Sequence, residues 1–220
     1  MHRFISTSAA VAAVGLIGLS TALADNVTVN PAAPWQGYMN VSNLPADGGA
    51  YQFGSSWGTA DLTATFAGSV LTLGPNTIGD PNGYWYIGGG APGSPGNKIM
   101  EANMYVDTTG VFSGTLTFEG TVLANSLTSA HTAVAFIKDF APDYSSSVTT
   151  TVPLTPGNFS VSAPLIPDPA RHVQYGFQMV GVNVWVTDVA PFGNVQVTAV
   201  PEPATLGALT LGLTLVRRRR

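Results

Sequence analysis

Between Trp35 and Thr198 apolar residues recur at every second position, and no segment holds the i, i+3, i+4, i+7 spacing of a helix for three turns. In Met100, Ala102, Met104 and Val106 one face is apolar, while Glu101, Asn103 and Tyr105 stand on the other. Leu116, Phe118 and Val122 alternate with Thr115, Thr117, Glu119 and Thr121, and Phe159, Val161, Ala163 and Leu165 alternate mainly with Ser160 and Ser162. A strand presents successive side chains to opposite faces, so each segment can bury one row and leave the other outside. The runs are broken by Asp47-Gly48-Gly49, Asp80-Pro81-Asn82-Gly83, the loop from Gly88 to Asn97, Asp107 to Gly110 and Pro156-Gly157-Asn158. These residue types supply tight turns. Ten or eleven strands at this spacing predict an all-β fold, an antiparallel two-sheet β-sandwich of jelly-roll type, with no internal repeat and no linker.

Composition agrees with many short strands. The 220 residues include 25 glycines and 16 prolines, only 9% are charged, and 45% are apolar, too many for a disordered chain. A body of about 170 residues can bury roughly 70% of its unfolded surface, so no staple is required. The lack of cysteine excludes a disulfide scaffold, a thiol nucleophile and a cysteine-based zinc site. The formal charge of −4 understates the acidity of the body, because Arg3 and Arg217 to Arg220 lie in the terminal segments. From Asp25 to Val200 eleven acids face only Lys98, Lys138 and Arg171, a net charge of −8. Such a surface repels phosphate backbones, which argues against a nucleic-acid partner.

One segment changes phase. Val173, Tyr175, Phe177 and Met179 occupy odd positions, but after Gly181 the apolar series continues at Val182, Val184 and Val186. A β-bulge at the glycine would produce that slip and turn Asn183 and Trp185 to the outer face. A strand buried on both faces would read the same way.

The two ends read as addresses. Residues 1–24 combine Arg3, an apolar stretch from Ala9 to Leu19 and the A-x-A triplet Ala22-Leu23-Ala24, the pattern of a signal helix cleaved between Ala24 and Asp25 by signal peptidase. Residues 25–34 then form a short leader, 35–199 the sandwich and 200–220 a tail. In the tail Ala204 to Val216 carries no charge; as a helix it would extend roughly 20 Å, short of a hydrocarbon core of about 30 Å. Arg217, Arg218, Arg219 and Arg220 would hold its end on the cytoplasmic side of the inner membrane.

Pro201-Glu202-Pro203, followed by the short hydrophobic helix and the arginine cluster, resembles the PEP-CTERM sorting signal of Gram-negative bacteria. That resemblance implies an exosortase as a processing partner, transient anchoring in the inner membrane, and delivery of the body to the cell surface or extracellular matrix. The body, notably Phe112 to Thr128, Ala135 to Ser145 and His172 to Trp185, is similar to exported β-sandwich domains that accompany such tails, and more loosely resembles carbohydrate-binding jelly rolls.

Catalytic constellations are thin. Gly54-Ser55-Ser56-Trp57-Gly58 matches G-x-S-x-G, and Asp168 and His172 would complete a Ser, Asp, His order, but the following residues Thr59 to Phe66 alternate like a strand where a nucleophile elbow needs a helix. Glu101 and Glu119, the two glutamates of the body, sit among Thr, Asn and Tyr as on a solvated sheet face, not as a glycosidase pair. Asp80 to Gly83 and the pair Asp139 and Asp143 offer oxygen-rich turns, which leaves calcium as the one cofactor to consider; His131 and His172 lack the spaced partners of a zinc site. Sugar rings stack on exposed aromatics beside amides, and Trp57, Tyr84, Trp85, Tyr86, Asn183 and Trp185 are the candidates for such a patch, with core packing as the alternative for each. The expectation is a non-enzymatic surface or matrix protein that contacts extracellular polysaccharide. A structural matrix protein with protein partners is the second reading and a secreted hydrolase the third.

Overall fold

The computed structural model describes residues 24–110 and 114–200. Residues 1–23 of the expected signal helix, Pro201, Glu202, Pro203, the apolar tail and Arg217 to Arg220 lie outside the described residues.

Two six-stranded sheets pack face to face. The first contains β1 (Ala24–Thr28), β4 (Ala64–Ala67), β5 (Val70–Leu73), β7 (Thr115–Asn125), β10 (Gly157–Pro164) and β12 (Val195–Thr198). The second runs in the order β3 (Tyr51–Trp57), β2 (Gln36–Asn43), β6 (Lys98–Thr109), β11 (His172–Val182), β8 (His131–Phe140), β9 (Ser147–Pro153). Strands β5 to β12 interleave as β5-β12-β7-β10 in one sheet and β6-β11-β8-β9 in the other. That is the strand order of two nested Greek keys, so the fold is an all-β sandwich with jelly-roll topology.

The alternating rows do what their pattern predicts. Met100, Ala102, Met104 and Val106 of β6 face Leu116, Phe118 and Val122 of β7 across the core, all buried. Phe118, Phe159, Tyr175 and Phe177 meet at its centre, with ring centroids 5.3 to 5.9 Å apart, and Trp35 closes one end at 6.1 Å from Phe177. Edge-to-face and tilted contacts of this kind add to the burial of the rings themselves.

Three expectations need correction. Residues 25–34 are not a leader outside the sandwich: β1 pairs in parallel with β7 from Ala24 to Thr28, along the same edge that β12 occupies further on, and Val29 enters the core. Its sequence ADNVT carries too few apolar residues to show a period. Residues Thr59 to Thr63 form a turn rather than a strand, and only Ala64 onward pairs. Nor is there a bulge at Gly181, because β11 keeps an unbroken register against both β6 and β8 up to that residue. Gly181 is instead required by close packing, since a Cβ there would lie 2.1 Å from the ring of His131.

Candidate functional site

The aromatic candidates do not converge on a ligand surface. Tyr86 is fully buried, and its hydroxyl donates between the carbonyls of Ile78 and Val184. Asn183 turns inward: Oδ1 accepts from the backbone N–H of Asn97 (3.1 Å) and Lys98 (2.9 Å), and Nδ2 donates to the carbonyl of Trp85 (2.9 Å). This amide therefore ties the loop after Tyr84 to the end of β11, which explains a buried polar side chain. Trp185 packs edge-on against Tyr86 at 5.3 Å, and Trp85 against Phe53 and Tyr84. Trp57, half-buried, donates its indole N–H to Ser55 Oγ at 2.8 Å. Tyr84 keeps an exposed edge, with the Lys98 ammonium 4.4 Å from its ring centre.

What the fold does assemble is a cleft of about 720 Å³ on the outer face of the second sheet. Its floor comes from the outward rows of β2, β6, β11 and β8: Tyr38 and Asn40, then Asn103, Tyr105 and Asp107, then Gln174, then Lys138. Long side chains fill these rows, and two glycines interrupt them. At Gly176 on β11 a Cβ would sit 2.1 Å from the carbonyl oxygen of Met104, so only glycine fits. At Gly54 on β3 a Cβ would meet the Tyr51 hydroxyl, Asn40 Oδ1 and the Tyr38 ring within 2.8 Å. The missing side chains give the sheet surface its relief, and neighbours lean into the gaps.

Two hydrogen-bonded groups organise the floor. In the first, Glu101 Oε1 accepts from Asn40 Nδ2 (3.0 Å) and Asn103 Nδ2 (3.1 Å), while Asn103 Oδ1 accepts from Lys138 Nζ (2.8 Å) and Gln178 Nε2 (3.0 Å). Lys138 thus reaches from β8 across β11 to β6, and its ammonium lies 4.4 Å from the ring centre of Phe136, which is outward-facing yet fully buried. In the second, Asp107 receives His172 Nδ1 on Oδ1 (3.1 Å), Gln174 Nε2 on Oδ2 (2.7 Å) and, at 3.5 Å, the Tyr144 hydroxyl. Burial, with Asp107 nearby, raises the pKa of Tyr105 and Tyr144, which keeps both phenols protonated as donors.

Tyr144 marks the rim. Half of it is exposed, its ring stacks on His172 at 4.4 Å and 28°, and it touches Phe140 at 5.4 Å. Its backbone stands at φ 58°, a conformation that a bulky side chain rarely adopts. Strain of this sort persists where the surroundings enforce it, and here it holds an aromatic face over the end of the cleft. Tyr51 on β3, 61% exposed, brings its hydroxyl to the same gap at Gly54 as Asn40 and Tyr38, which line the other end of the cleft. From β3 to β8 the cleft crosses four strand spacings, about 19 Å.

No protein-family model matches the chain, and no curated protein matches it.

The catalytic constellations weighed from sequence do not form. Ser56 lies on β3 and His172 on β11, three strand spacings or about 14 Å apart at the least, and His172 is engaged by Asp107. Asp168 accepts from the backbone N–H of Ala170 in its own turn. Glu101 and Glu119 point away from one another on opposite faces of the sandwich. Glu101 is no freely solvated carboxylate either, being held by two amides. Of the calcium candidates, Asp80 and Asp143 cap their own turns, and Asp139 is paired with Arg171 at 2.6 Å. Among the described residues no three His, Asp or Glu side chains gather as a metal site.

Proposed function

We propose that this is an exported, exosortase-sorted surface protein that holds extracellular polysaccharide without chemically altering it, through the outer-face cleft between Tyr51 and Tyr144. The single observation behind this reading is the cleft itself. It is long, open, rimmed by tyrosine rings and floored by amides, carboxylates and an ammonium in fixed orientations. Sugar hydroxyls need such paired donors and acceptors, and sugar C–H faces need flat rings. A non-catalytic role is favoured by the spacing of the acids. Glu101 and Asp107 stand six positions apart on one strand, about 20 Å, where a retaining pair needs about 5 Å. The sorting part of the proposal is supported by the position of the tail. Strand β12 ends at Thr198 between β5 and β7, so every strand among the described residues precedes Pro201 and removal of the segment after Pro203 would leave both described sheets whole.

Co-sedimentation of the purified protein with polysaccharide from the producing bacterium tests the binding claim. Saturable binding is expected, weakened about tenfold by Tyr144→Ala with unchanged thermal unfolding. Full binding by Tyr144→Ala together with loss in Trp185→Ala would move the surface back to the tryptophans and refute the cleft. Mass spectrometry of surface material tests the sorting claim: chains still carrying Arg217 to Arg220 there would contradict it.

A further inference from the structure

Three lysines and arginines fall among the described residues, and two are committed elsewhere. Arg171 is locked to Asp139. Lys98 is buried, donates to the carbonyl of Asn97 at 3.1 Å and lies over the Tyr84 ring. Lys138 alone lines the cleft, and no carboxylate among the described residues comes within ion-pair distance of it. Glu101, the nearest acid in its network, is kept apart by Asn103, whose amide donates to Glu101 on one side and accepts from Lys138 on the other. Asn103 is itself saturated, since Gln178 takes the second position on its oxygen. A neutral spacer of this kind orients the ammonium and leaves its remaining donors uncommitted.

An ammonium partly removed from water without a counter-charge is costly to hold. Burial lowers the pKa of Lys138 and Glu101 only partly restores it. On a body of net charge −8, a cation has abundant carboxylates to pair with, and here it pairs with an amide instead. At the floor of a cleft, that arrangement fits a partner that brings its own negative charge. Asp107 does not oppose this, because His172, Gln174 and Tyr144 already surround its two oxygens with donors.

Resting on the polysaccharide reading above, we propose that the ligand is an acidic glycan, and that Lys138 is the residue that meets its anionic substituent. A lysine is a compact point charge and does not select planar carboxylate over sulfate, so the shared chemistry is a negatively charged sugar. The glycan lies across the strands with one acidic group over Asn103 and neutral hydroxyls along Gln174 and Asp107.

The test compares binding of the full chain to polygalacturonate, to its methyl ester and to dextran sulfate by sedimentation at physiological ionic strength. The wild-type protein should bind one of the two acidic polymers about tenfold more tightly than the neutral ester, the value of one charge-assisted hydrogen bond. Which acidic polymer wins identifies the substituent. Lys138→Met keeps the aliphatic stem over Phe136 and should erase the preference while leaving residual binding to the ester; Lys138→Arg should retain it. Equal binding of acidic and neutral polymers by the wild type, or a preference surviving in Lys138→Met, overturns the acidic ligand and leaves the proposed function standing. Binding of none of the three polymers overturns the acidic ligand, and a further absence of binding to the producing bacterium's own polysaccharide overturns the proposed function with it.

Discussion

The outer faces of the two sheets carry similar alternating patterns and are built very differently. On the first sheet the outward rows hold short hydroxylated side chains that pair one to one, Thr117 with Ser162 at 2.8 Å and Thr121 with Asn158 at 2.9 Å, around a half-exposed Glu119. On the second sheet they hold Tyr, Asn, Gln, Asp, Glu and Lys, linked across three strands and so closely packed that Asn103 is only 4% and Tyr105 only 9% exposed. A ladder of small residues makes a smooth, solvated surface. Long residues set among glycines make a surface with depth. The period of two says only that a row faces outward; the size of the residues in neighbouring rows decides whether that exterior can hold anything.

Breaking the support of the second sheet should have the largest effect. Asp139 accepts from Arg171 Nε and from the backbone N–H of Ile166, which pins the crossover that delivers β11, the middle strand of the cleft floor. Asp139→Ala leaves the largely buried Arg171 guanidinium with the residue-139 carbonyl but no counter-charge, and should cost about 3–5 kcal/mol in chemical denaturation. Next, Gly176→Ala forces a Cβ against the Met104 carbonyl and should cost about 1–3 kcal/mol while weakening glycan binding, since it lifts the floor itself. An unchanged midpoint would show that the relief of this face is not set by glycine.

A third test uses pH. His131 on β8 is buried, with Nε2 3.0 Å from the Val182 carbonyl and Nδ1 without a partner, and burial lowers its pKa below 6.5. Above about pH 6.5 the ring is neutral in both folded and unfolded chains, so its contribution is fully present. As the pH falls the unfolded chain takes up the proton first, and stability is lost until the folded value is passed. Melting temperature should therefore decline from pH 7 toward pH 5 more steeply in the wild type than in His131→Gln; parallel curves would contradict it. Smallest of all, Thr117→Ala on the first sheet should change stability by no more than about 0.5 kcal/mol and leave binding untouched. A binding defect there would erase the distinction between the faces.

Sequence reasoning reached the sandwich because alternation is local, and the buried rows Met100 to Val106 and Phe159 to Ala163 lie where it put them. It reached the outward placement of Glu101, Asn103 and Tyr105, yet took that row for solvated surface. Whether outward rows meet depends on which strands become neighbours, and β2, β6, β11 and β8 are brought together from distant parts of the chain. Lys138 counted only as one of three basic residues, although the long amides of β2, β6 and β11, set against the Ser and Thr of β7 and β10, were a readable contrast. The aromatic letters misled for a physical reason: Tyr86 precedes a glycine-rich loop and Trp185 follows the phase change at Gly181, which suggested exposure, but such a loop needs an anchor, and Tyr86, packed against Trp185, supplies it.

The most direct measurement is an NMR titration of the isotope-labelled protein with oligosaccharides cut from the producing organism's extracellular polysaccharide. Shifts confined to Asn103 to Asp107, Phe136 to Phe140 and His172 to Gln178, with Thr115 to Thr121 silent, are the expected result. Shifts at the indole N–H groups of Trp85 and Trp185 or along β7, with the cleft unmoved, would contradict the assignment of binding to the outer face of the second sheet.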